Sequence, residues 1–369
     1  MSHLLDHEML SADDVLMVPE LGELSSSTLA ELEPFIYSAP MDRVTGYELT
    51  KAMVAAGEYP VVSRDLPEAE YLRCLQEFAG HPKVFFAVSI KKKWLAQFFR
   101  RLESTGFNGK INLAVDVAHG DLWVAHSATR FLREQQFVDK IMSGSVATPG
   151  GALRAVQAGA THIRIGVGPG SQCTTRIVTG FGVPQLSAVY QINKLLSETA
   201  EVDGVPRSIY GRDRIVLIAD GGIRSSGDAA KYLAAGADAI MMGSEFSKAK
   251  ESPGWYHAGF EPVDTAEVVT FPLPEPNPIF KKIYRGCASA QHQLDHKGAA
   301  RAAPEGESSK EFKWQGETVE SVISRYRQGI ERAISYGGGK SISDLNPTQI
   351  KMIKITGAAQ RESVAHGNL

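Results

Sequence analysis

The stretch that bears most directly on the fold covers residues 162–176 and reads HIRIGVGPGSQCTTR. Its first four residues alternate the apolar Ile163 and Ile165 with polar side chains, which is the pattern of a short strand. The glycines and proline that follow favour a tight loop whose backbone amides approach a ligand closely. This loop carries Cys173, and a thiol at the carboxyl end of a strand is well placed to act as a nucleophile. A glycine-rich turn with an incidental cysteine is the alternative, and the rest of the chain disfavours it.

Short apolar segments of this kind recur along the chain and alternate with helix-like stretches. Strands that alternate with helices pair in parallel through right-handed crossovers, and eight such units favour a closed (β/α)8 TIM barrel over an open sheet. The candidate strands are residues 35–39, 59–62, 84–88, 111–115, 140–142, 162–165, 215–219 and 239–242. The candidate helices include residues 67–78, 122–132, 150–158, 227–235 and 319–335.

Polar or reactive residues follow six of these strands closely. In a (β/α)8 barrel the loops at the carboxyl ends of the strands carry the functional groups. The repetition is therefore stronger evidence for a site than any one motif. The residues concerned are Met41-Asp42, Asp116, Ser145, Cys173, Asp220-Gly221-Gly222 and Gly243-Ser244.

Composition excludes several classes of function. The 369 residues are 43% hydrophobic and 22% charged, with a net charge of -3, so nothing favours a nucleic acid polymer as partner. No apolar run approaches the ~18 residues that span a bilayer, and the first residues lack the pattern of a signal peptide. Three scattered cysteines indicate no disulfide framework. We therefore expect a protein of the reducing cytoplasm, with no membrane partner.

The chain divides into four predicted parts. Residues 1–34 form an N-terminal arm, and residues 35–295 form the α/β barrel. Residues 296–318 are rich in small and polar side chains and are predicted to be a mobile flap over the site. Residues 319–369 comprise a final helix and a C-terminal tail against the barrel or a neighbouring copy, with no clear core pattern after Leu345.

Seven motifs, in this order, resemble the IMP dehydrogenase/GMP reductase family. The resemblance extends over nearly the whole chain, and the cysteine loop is its most specific element. The motifs are residues 10–19, 38–45, 168–176, 180–185, 219–223, 241–244 and 284–289.

The resemblance implies a covalent mechanism. Cys173 would attack C2 of a purine nucleotide, hydride would move between C2 and a nicotinamide, and Thr175 with Glu305 would shuttle protons. Asp220 would accept hydrogen bonds from the ribose, and neutral backbone amides would hold the 5′-phosphate. The implied substrate-binding residues are Met41, Ser171, Asp220, Gly221, Gly222, Gly243, Ser244, Gly286, Ser289 and Arg301. The implied cofactor-binding residues are Asp116, Ala118, Gly166 and Gly168.

The resemblance also implies a monovalent cation and an assembly. Potassium would be held by the backbone carbonyls of Gly168, Gly170 and Cys173, with Glu362 of a neighbouring subunit nearby. The family resemblance implies a homotetramer.

The motifs favour the reductase branch of the family. Residues 62–67 run straight into the next helix without the CBS domains that dehydrogenases usually insert there. Residues 289–305 contain no Arg-Tyr pair to activate water for hydrolysis. The resemblance therefore implies NADPH-dependent reductive deamination of GMP, or a related purine nucleotide, to IMP and ammonia.

Other features keep two alternatives open. Residues 284–286, 304–306 and 355–363 resemble dehydrogenases, so an IMP dehydrogenase without CBS domains, using NAD and potassium, is one alternative. Arg64 replaces an expected lysine and Ser145 an expected asparagine; an arginine keeps the charge but does not release its proton. These departures also allow a modified purine nucleotide, or a catalytically inactive nucleotide-binding member.

The remaining cysteines are assigned structural roles, and the histidines are assigned no metal site. Cys74 is predicted to be a small core residue, and Cys287 a backbone-contact position of the phosphate loop. We identify no H-x-x-x-H spacing with a third carboxylate among the ten histidines, so none is predicted to bind a metal.

Overall fold

The computed structural model describes residues 8–22, 32–202, 205–257, 280–300, 302–307 and 310–363. The strands in this part of the chain are β1 (Val15–Met17), β2 (Ile36–Ser38), β3 (Val61–Val62), β4 (Phe85–Val88), β5 (Ile111–Val115), β6 (Val138–Val146), β7 (His162–Ile165), β8 (Thr199–Val202), β9 (Val205–Ser208), β10 (Val216–Asp220), β11 (Ala239–Met242), β12 (Trp255–His257), β13 (Phe280–Tyr284), β14 (Lys310–Lys313) and β15 (Met352–Lys354). The α-helices are α1 (Tyr47–Ala55), α2 (Glu68–Phe78), α3 (Lys92–Ser104), α4 (Trp123–Arg133), α5 (Pro149–Gln157), α6 (Thr175–Thr179), α7 (Gln185–Leu196), α8 (Ser226–Ala234), α9 (Ser244–Ser247), α10 (Ala290–Lys297), α11 (Val319–Tyr336) and α12 (Gly357–Glu362).

Eight parallel strands form the barrel, in the hydrogen-bonded order β2-β11-β10-β7-β6-β5-β4-β3. Tyr59, just before β3, closes the ring against β2. Its amide donates to the Ile36 carbonyl at 3.0 Å, and its carbonyl accepts from the Ser38 amide at 3.1 Å. The predicted (β/α)8 fold is confirmed, and each of the eight predicted strands overlaps a barrel strand.

The barrel strands are buried on both faces, as a parallel sheet under helices requires. All five residues of β5 and all four of β4 are buried. Helix α11 begins at a capping box, in which Thr318 accepts from the Ser321 amide at 3.1 Å. It buries Val322, Tyr326 and Ile330 on one face, at the spacing of a helix that packs on the barrel.

The tail after Leu345 contains more structure than the sequence indicates. Leu345 and Ile350 are buried, and β15 pairs antiparallel with β1 near the other end of the chain. Among the described residues after Leu345 only Ile350 is buried, and the structure that the sequence did not indicate lies in the pairing of β15 with β1. The partner strand lies more than three hundred residues away, so no local periodicity reveals the pairing.

Part of the predicted flap is also ordered by pairing. Strand β14, within residues 296–318, adds to β13 with Lys281 opposite Lys313. In the part of the chain that the structure describes, no helix is long and apolar enough to cross a membrane.

His162 is buried inside the barrel, where its ring centroid lies 5.0 Å from that of Phe85. Burial, with a smaller effect of Lys140, lowers the pKa of His162 to about 3. The folded barrel therefore holds this imidazole in its neutral form.

We expect His162 to make the fold sensitive to acid. Below the ordinary histidine pKa of about 6.5, the unfolded chain binds a proton that the folded chain excludes, so stability falls as the pH falls. The loss should be about 1 kcal/mol per pH unit. The variant His162→Gln lacks the titrating group. The free energy of unfolding of the wild type, relative to that of this variant, should therefore fall by about 1 kcal/mol for each pH unit between about pH 6 and pH 4. Urea denaturation across this range measures it, and a constant difference would contradict the assignment.

Candidate active site

The cysteine loop, residues 166–174, leaves β7 through a glycine that the packing requires. Gly166 has φ +148°, and a Cβ there would come within 2.3 Å of the Asp220 carbonyl oxygen. The loop after β7 therefore lies directly against the end of β10. The loop ends in the short helix α6, which stops at Gly180 in the left-handed conformation.

A thiol, a hydroxyl and a carboxylate lie in series at the end of this loop. The Cys173 thiol donates to Thr175 Oγ1 at 3.2 Å, and the Thr175 hydroxyl donates to Glu305 Oε2 at 2.8 Å. Cys173 is half-buried. The structure thus brings the three predicted catalytic residues into one hydrogen-bonded chain, although Glu305 is 130 residues away from Thr175 in the sequence.

Backbone pairing holds Glu305 in this place. The Thr174 amide donates to the Glu305 carbonyl at 3.1 Å, and the Glu307 amide donates to the Gln172 carbonyl at 2.9 Å. On its other side, the Glu307 carbonyl accepts from the Gly286 amide at 3.1 Å. This flap segment, residues 302–307, therefore lies between the cysteine loop and the loop of residues 286–289.

Two arginines and two aspartates form a charged chain across the mouth of the barrel. Arg164 donates to Asp116 Oδ1 at 3.1 Å and to Asp220 Oδ2 at 2.8 Å, and Arg64 lies 3.4 Å from Asp116 Oδ2. Burial lowers the pKa of Arg164, but the two aspartates outweigh it and hold that pKa above its ordinary value. The same opposition, with Asp116 and Asp65 as partners, raises the pKa of Arg64.

Arg164 is a site residue that the sequence analysis missed. Its side chain is only 9% exposed, and it joins the predicted cofactor aspartate to the predicted ribose aspartate. The available signal was a charged side chain between two isoleucines of a buried strand. Such a residue is rarely buried unless it is paired.

The predicted phosphate loops pack against the cysteine loop. Gly221 and Gly222 have positive φ, and a Cβ on Gly221 would come within 3.1 Å of the Gly170 amide nitrogen. Gly243 caps helix α9, which begins at Ser244. A Cβ on Gly243 would approach the Met41 sulfur to 3.1 Å.

The other predicted contacts surround the same cavity mouth. Tyr284 donates to the Met41 sulfur at 3.7 Å and also hydrogen-bonds Ser171. Ser289, which caps α10, pairs with Gly306 of the flap segment. The Ser145 hydroxyl donates to Asp220 Oδ2 at 3.3 Å.

Two of the described site residues are not brought into this group, and a third predicted residue, Arg301, lies outside the described residues. Ala118 is exposed two residues beyond Asp116. Glu362 is exposed on helix α12, and its contact with a second subunit stays a prediction.

The sequence analysis also missed a histidine pair. His292 and His296 are four residues apart on α10, which is the H-x-x-x-H spacing that was said to be absent. The Asp42 carboxylate lies with them, since the three ligand atoms are within 4.8 Å of one another. The spacing was visible in the sequence, but the third member comes from a loop 250 residues away. Cys74 is buried in α2, as predicted.

Fold and site together define a (β/α)8-barrel protein with a free, half-buried thiol in a loop at the carboxyl ends of its strands. The family model described as "IMP dehydrogenase / GMP reductase domain" matches residues 9–263. The chain therefore belongs to the IMP dehydrogenase/GMP reductase family, as its motifs indicate, and this is a family of purine nucleotide oxidoreductases.

Several curated relatives of this chain are inosine-5′-monophosphate dehydrogenases. The chain is 33% identical to the inosine-5′-monophosphate dehydrogenase of Chlorobaculum tepidum over 264 residues, which are 69% of this chain and 47% of that protein. It is 28% identical to that of Thermoplasma acidophilum over 99% of this chain and 65% of that protein. The chain spans about half the length of the first of these relatives.

The solved structure of a GMP reductase variant from Trypanosoma brucei, in complex with guanosine 5′-monophosphate, has a similar fold. It superposes with a TM-score of 0.80, with 98% of each chain covered and 21% sequence identity.

We expect Arg164 to be essential for stability in a way that a surface arginine is not. Arg164→Lys keeps the charge but loses the planar fork that serves two carboxylates, so the free energy of unfolding should fall by about 1–3 kcal/mol. Arg154→Lys is the control, because Arg154 also donates two hydrogen bonds to a carboxylate, that of Asp121, but its side chain is 55% exposed. It should cost less than about 1 kcal/mol. Urea denaturation compares them, and equal losses would refute the role.

Proposed function

We propose that this chain is a GMP reductase-like enzyme, which reductively deaminates GMP or a related purine nucleotide with NADPH. The observation that carries the proposal is the continuous hydrogen-bonded chain Cys173–Thr175–Glu305 at the mouth of the barrel. A nucleophile that touches a hydroxyl–carboxylate pair can form a covalent bond to carbon and pass the accompanying protons.

The proposed reaction balances as GMP, NADPH and one proton going to IMP, NADP⁺ and ammonia. The Cys173 sulfur forms a bond to C2, and the bond from C2 to the amino nitrogen breaks. The Thr175–Glu305 pair delivers the proton that lets this nitrogen leave as ammonia. NADPH, when bound, supplies hydride to C2, after which the carbon–sulfur bond breaks and the thiolate leaves.

The surrounding residues suit the rest of a purine nucleotide. Asp220, at the end of β10, is an acceptor for ribose hydroxyls once the nucleotide competes with Ser145 for it. Gly221, Gly222 and Gly243 would present amides to the 5′-phosphate, which needs no large basic patch. Asp116 would meet the cofactor riboside from the opposite side of Arg164.

The direction of the reaction depends on Arg64. In the family whose motifs this chain resembles, a lysine is expected at this position, and that lysine could serve in deamination. Arg64 is instead paired with Asp116 and Asp65, and its raised pKa makes it unfit as a proton donor. Proton delivery in the reductase therefore falls to Thr175 and Glu305. The second candidate is an IMP dehydrogenase without CBS domains, oxidising IMP to XMP with NAD and water, and the many relatives of that name favour it.

Cation binding and assembly belong to the same proposal. Carbonyl oxygens suit a potassium ion, and Gly168, Gly170 and Cys173 would supply them. Close to this loop, Ile177 and Phe181 are 85% and 76% exposed. Apolar exposure of this kind supports a neighbouring subunit there, consistent with a homotetramer. The need to keep Cys173 reduced supports a cytoplasmic location.

The proposed direction is tested by nicotinamide absorbance in two reactions, GMP with NADPH and IMP with NAD and potassium. We expect consumption of NADPH with GMP, and a loss of at least ~10³-fold in Cys173→Ala. Thr175→Val should lower kcat by ~10²-fold with little change in KM. Thr179→Val is its control, since that hydroxyl donates to the Thr175 carbonyl and accepts from the Phe181 amide, and makes no hydrogen bond to Cys173 or Glu305.

If NADH forms in the reaction with IMP and NAD, and no NADPH is consumed in the reaction with GMP, the chain is a dehydrogenase instead. If neither reaction proceeds while nucleotide binds without a Cys173 adduct, the chain is an inactive nucleotide-binding member. Turnover of another purine nucleotide in a panel would identify a modified substrate.

We expect Arg64→Lys to raise turnover of GMP by at least ~10-fold, because a lysine beside Asp116 can give up a proton and an arginine does not. Steady-state kinetics with NADPH measure the change. Arg73→Lys, at a 57% exposed pair with Glu48, is the control for the substitution itself. A fall in turnover would mean that Arg64 holds Asp116 in place for a substrate other than GMP.

A further inference from the structure

A cluster of histidines and aspartates lies next to the proposed nucleotide site and has no part in the proposed reaction. Helix α10 places His292 and His296 one turn apart on the same face. Asp42 comes from the loop after β2, directly after Met41. One ligand atom from each of the three lies within 4.8 Å of the other two.

Several buried polar atoms of this cluster are left without a hydrogen bond. The His292 side chain is 2% exposed, and among the described residues neither of its ring nitrogens makes a hydrogen bond. Asp42 Oδ1 is likewise buried without a partner among them. Burying such groups without a hydrogen bond is unfavourable. A ligand that accepts lone pairs from nitrogen and oxygen together would relieve both.

A fourth donor and an orienting shell are present. Asp65 Oδ2 lies 3.4 Å from His292 Nε2. Arg285 donates to Asp42 Oδ2 at 2.7 Å and also pairs with Asp295. Ligating carboxylates in metal sites are commonly held in this way by a second hydrogen-bonded group. The contact fixes the Asp42 carboxylate and leaves its Oδ1 without a hydrogen bond among the described residues.

We propose that Asp42, His292 and His296, with Asp65 as fourth donor, form a binding site for a divalent transition-metal ion of the zinc class. Two imidazoles and two carboxylates match the nitrogen and oxygen ligands of that class, whereas calcium and magnesium prefer oxygen alone. Bonds of about 2.0–2.2 Å place tetrahedral ligands about 3.4 Å apart, so small side-chain rotations bring the cluster to that geometry. His296, 28% exposed, provides the path of entry.

An ion-pair network is the simpler reading of the same residues. His296 Nε2 lies 3.5 Å from Asp42 Oδ2, so a charged imidazole could complete the set without a metal. That reading also brings His292 Nε2 within 3.4 Å of Asp65 Oδ2. It still leaves His292 Nδ1 and Asp42 Oδ1 buried without a hydrogen bond, and a metal ion would provide a partner for one imidazole nitrogen and for the Asp42 carboxylate.

The position of the site gives the metal a structural consequence. Helix α10 begins at Ser289, and Ser289 pairs with Gly306 of the flap segment. An ion bound by α10 and by the loop after β2 would link these two elements. It would thereby stabilise the start of α10, against which the flap segment packs. The proposal concerns metal binding and does not depend on the direction of the proposed reaction.

The test is cobalt and zinc binding to the full chain after treatment with a chelator. All proteins carry Cys173→Ser, so that this half-buried thiol does not bind the metal. We expect one ion per chain, visible as the absorption of tetrahedral cobalt and by titration calorimetry with zinc. His296→Ala and His292→Ala should each weaken binding by at least ~10²-fold. His119→Ala, at an exposed histidine elsewhere on the barrel mouth, should leave binding unchanged.

The outcomes separate the two readings. Binding of less than a tenth of an ion per chain would overturn the proposal, as would binding that both alanine variants retain. If His292→Ala does not fold, judged by circular dichroism, the decision rests on His296→Ala, whose side chain is partly exposed and tolerates truncation. Added zinc should also raise the Tm of the parent protein and leave that of His296→Ala unchanged.

Discussion

The site depends on one buried guanidinium that two carboxylates share. Arg164 reaches Asp116 on one side and Asp220 on the other, so it ties together the ends of β5, β7 and β10. Removing a charge from water is expensive, and only complete pairing makes it tolerable. Any loop movement that separated one aspartate from Arg164 would leave an uncompensated charge. The pairing therefore fixes the relative positions of the loops before a nucleotide binds. The proposed ribose and cofactor contacts are thus already in place.

The second constraint is the register of the flap segment. Main-chain hydrogen bonds from both neighbouring loops fix the position of residues 305–307. The Glu305 side chain is therefore held in contact with the Thr175 hydroxyl. A slip of one residue would present Pro304 or Gly306 there, and neither has a carboxylate. Gly306 is also required by space, because a Cβ would come within 3.0 Å of the Ser289 amide nitrogen. Sequence and geometry thus agree on a single placement of the proposed proton relay.

Local patterns in the sequence were sufficient for the barrel and for the residues of the cysteine loop. Runs such as β5 are buried on both faces, and their carboxyl ends meet at one side of the barrel, so the loops could be grouped without coordinates. What the sequence did not reveal was pairing over distance. Strand β15 pairs with β1, Asp42 lies beside the two histidines of α10, and Arg164 forms ion pairs with two aspartates. Each depends on a partner that no periodicity within a window contains.

The closure of the barrel has its own consequence. Between β2 and β3 the ring is joined by a single bridge at Tyr59, whereas the neighbouring strands share full ladders. Glu58 braces this seam: it accepts from the Ile36 amide at 2.9 Å and from the guanidinium of Arg327 on α11. Transient opening of the barrel would begin between β2 and β3 and would strain the hydrogen bonds of Glu58. The helix that follows the flap is thus mechanically coupled to the weakest join of the barrel.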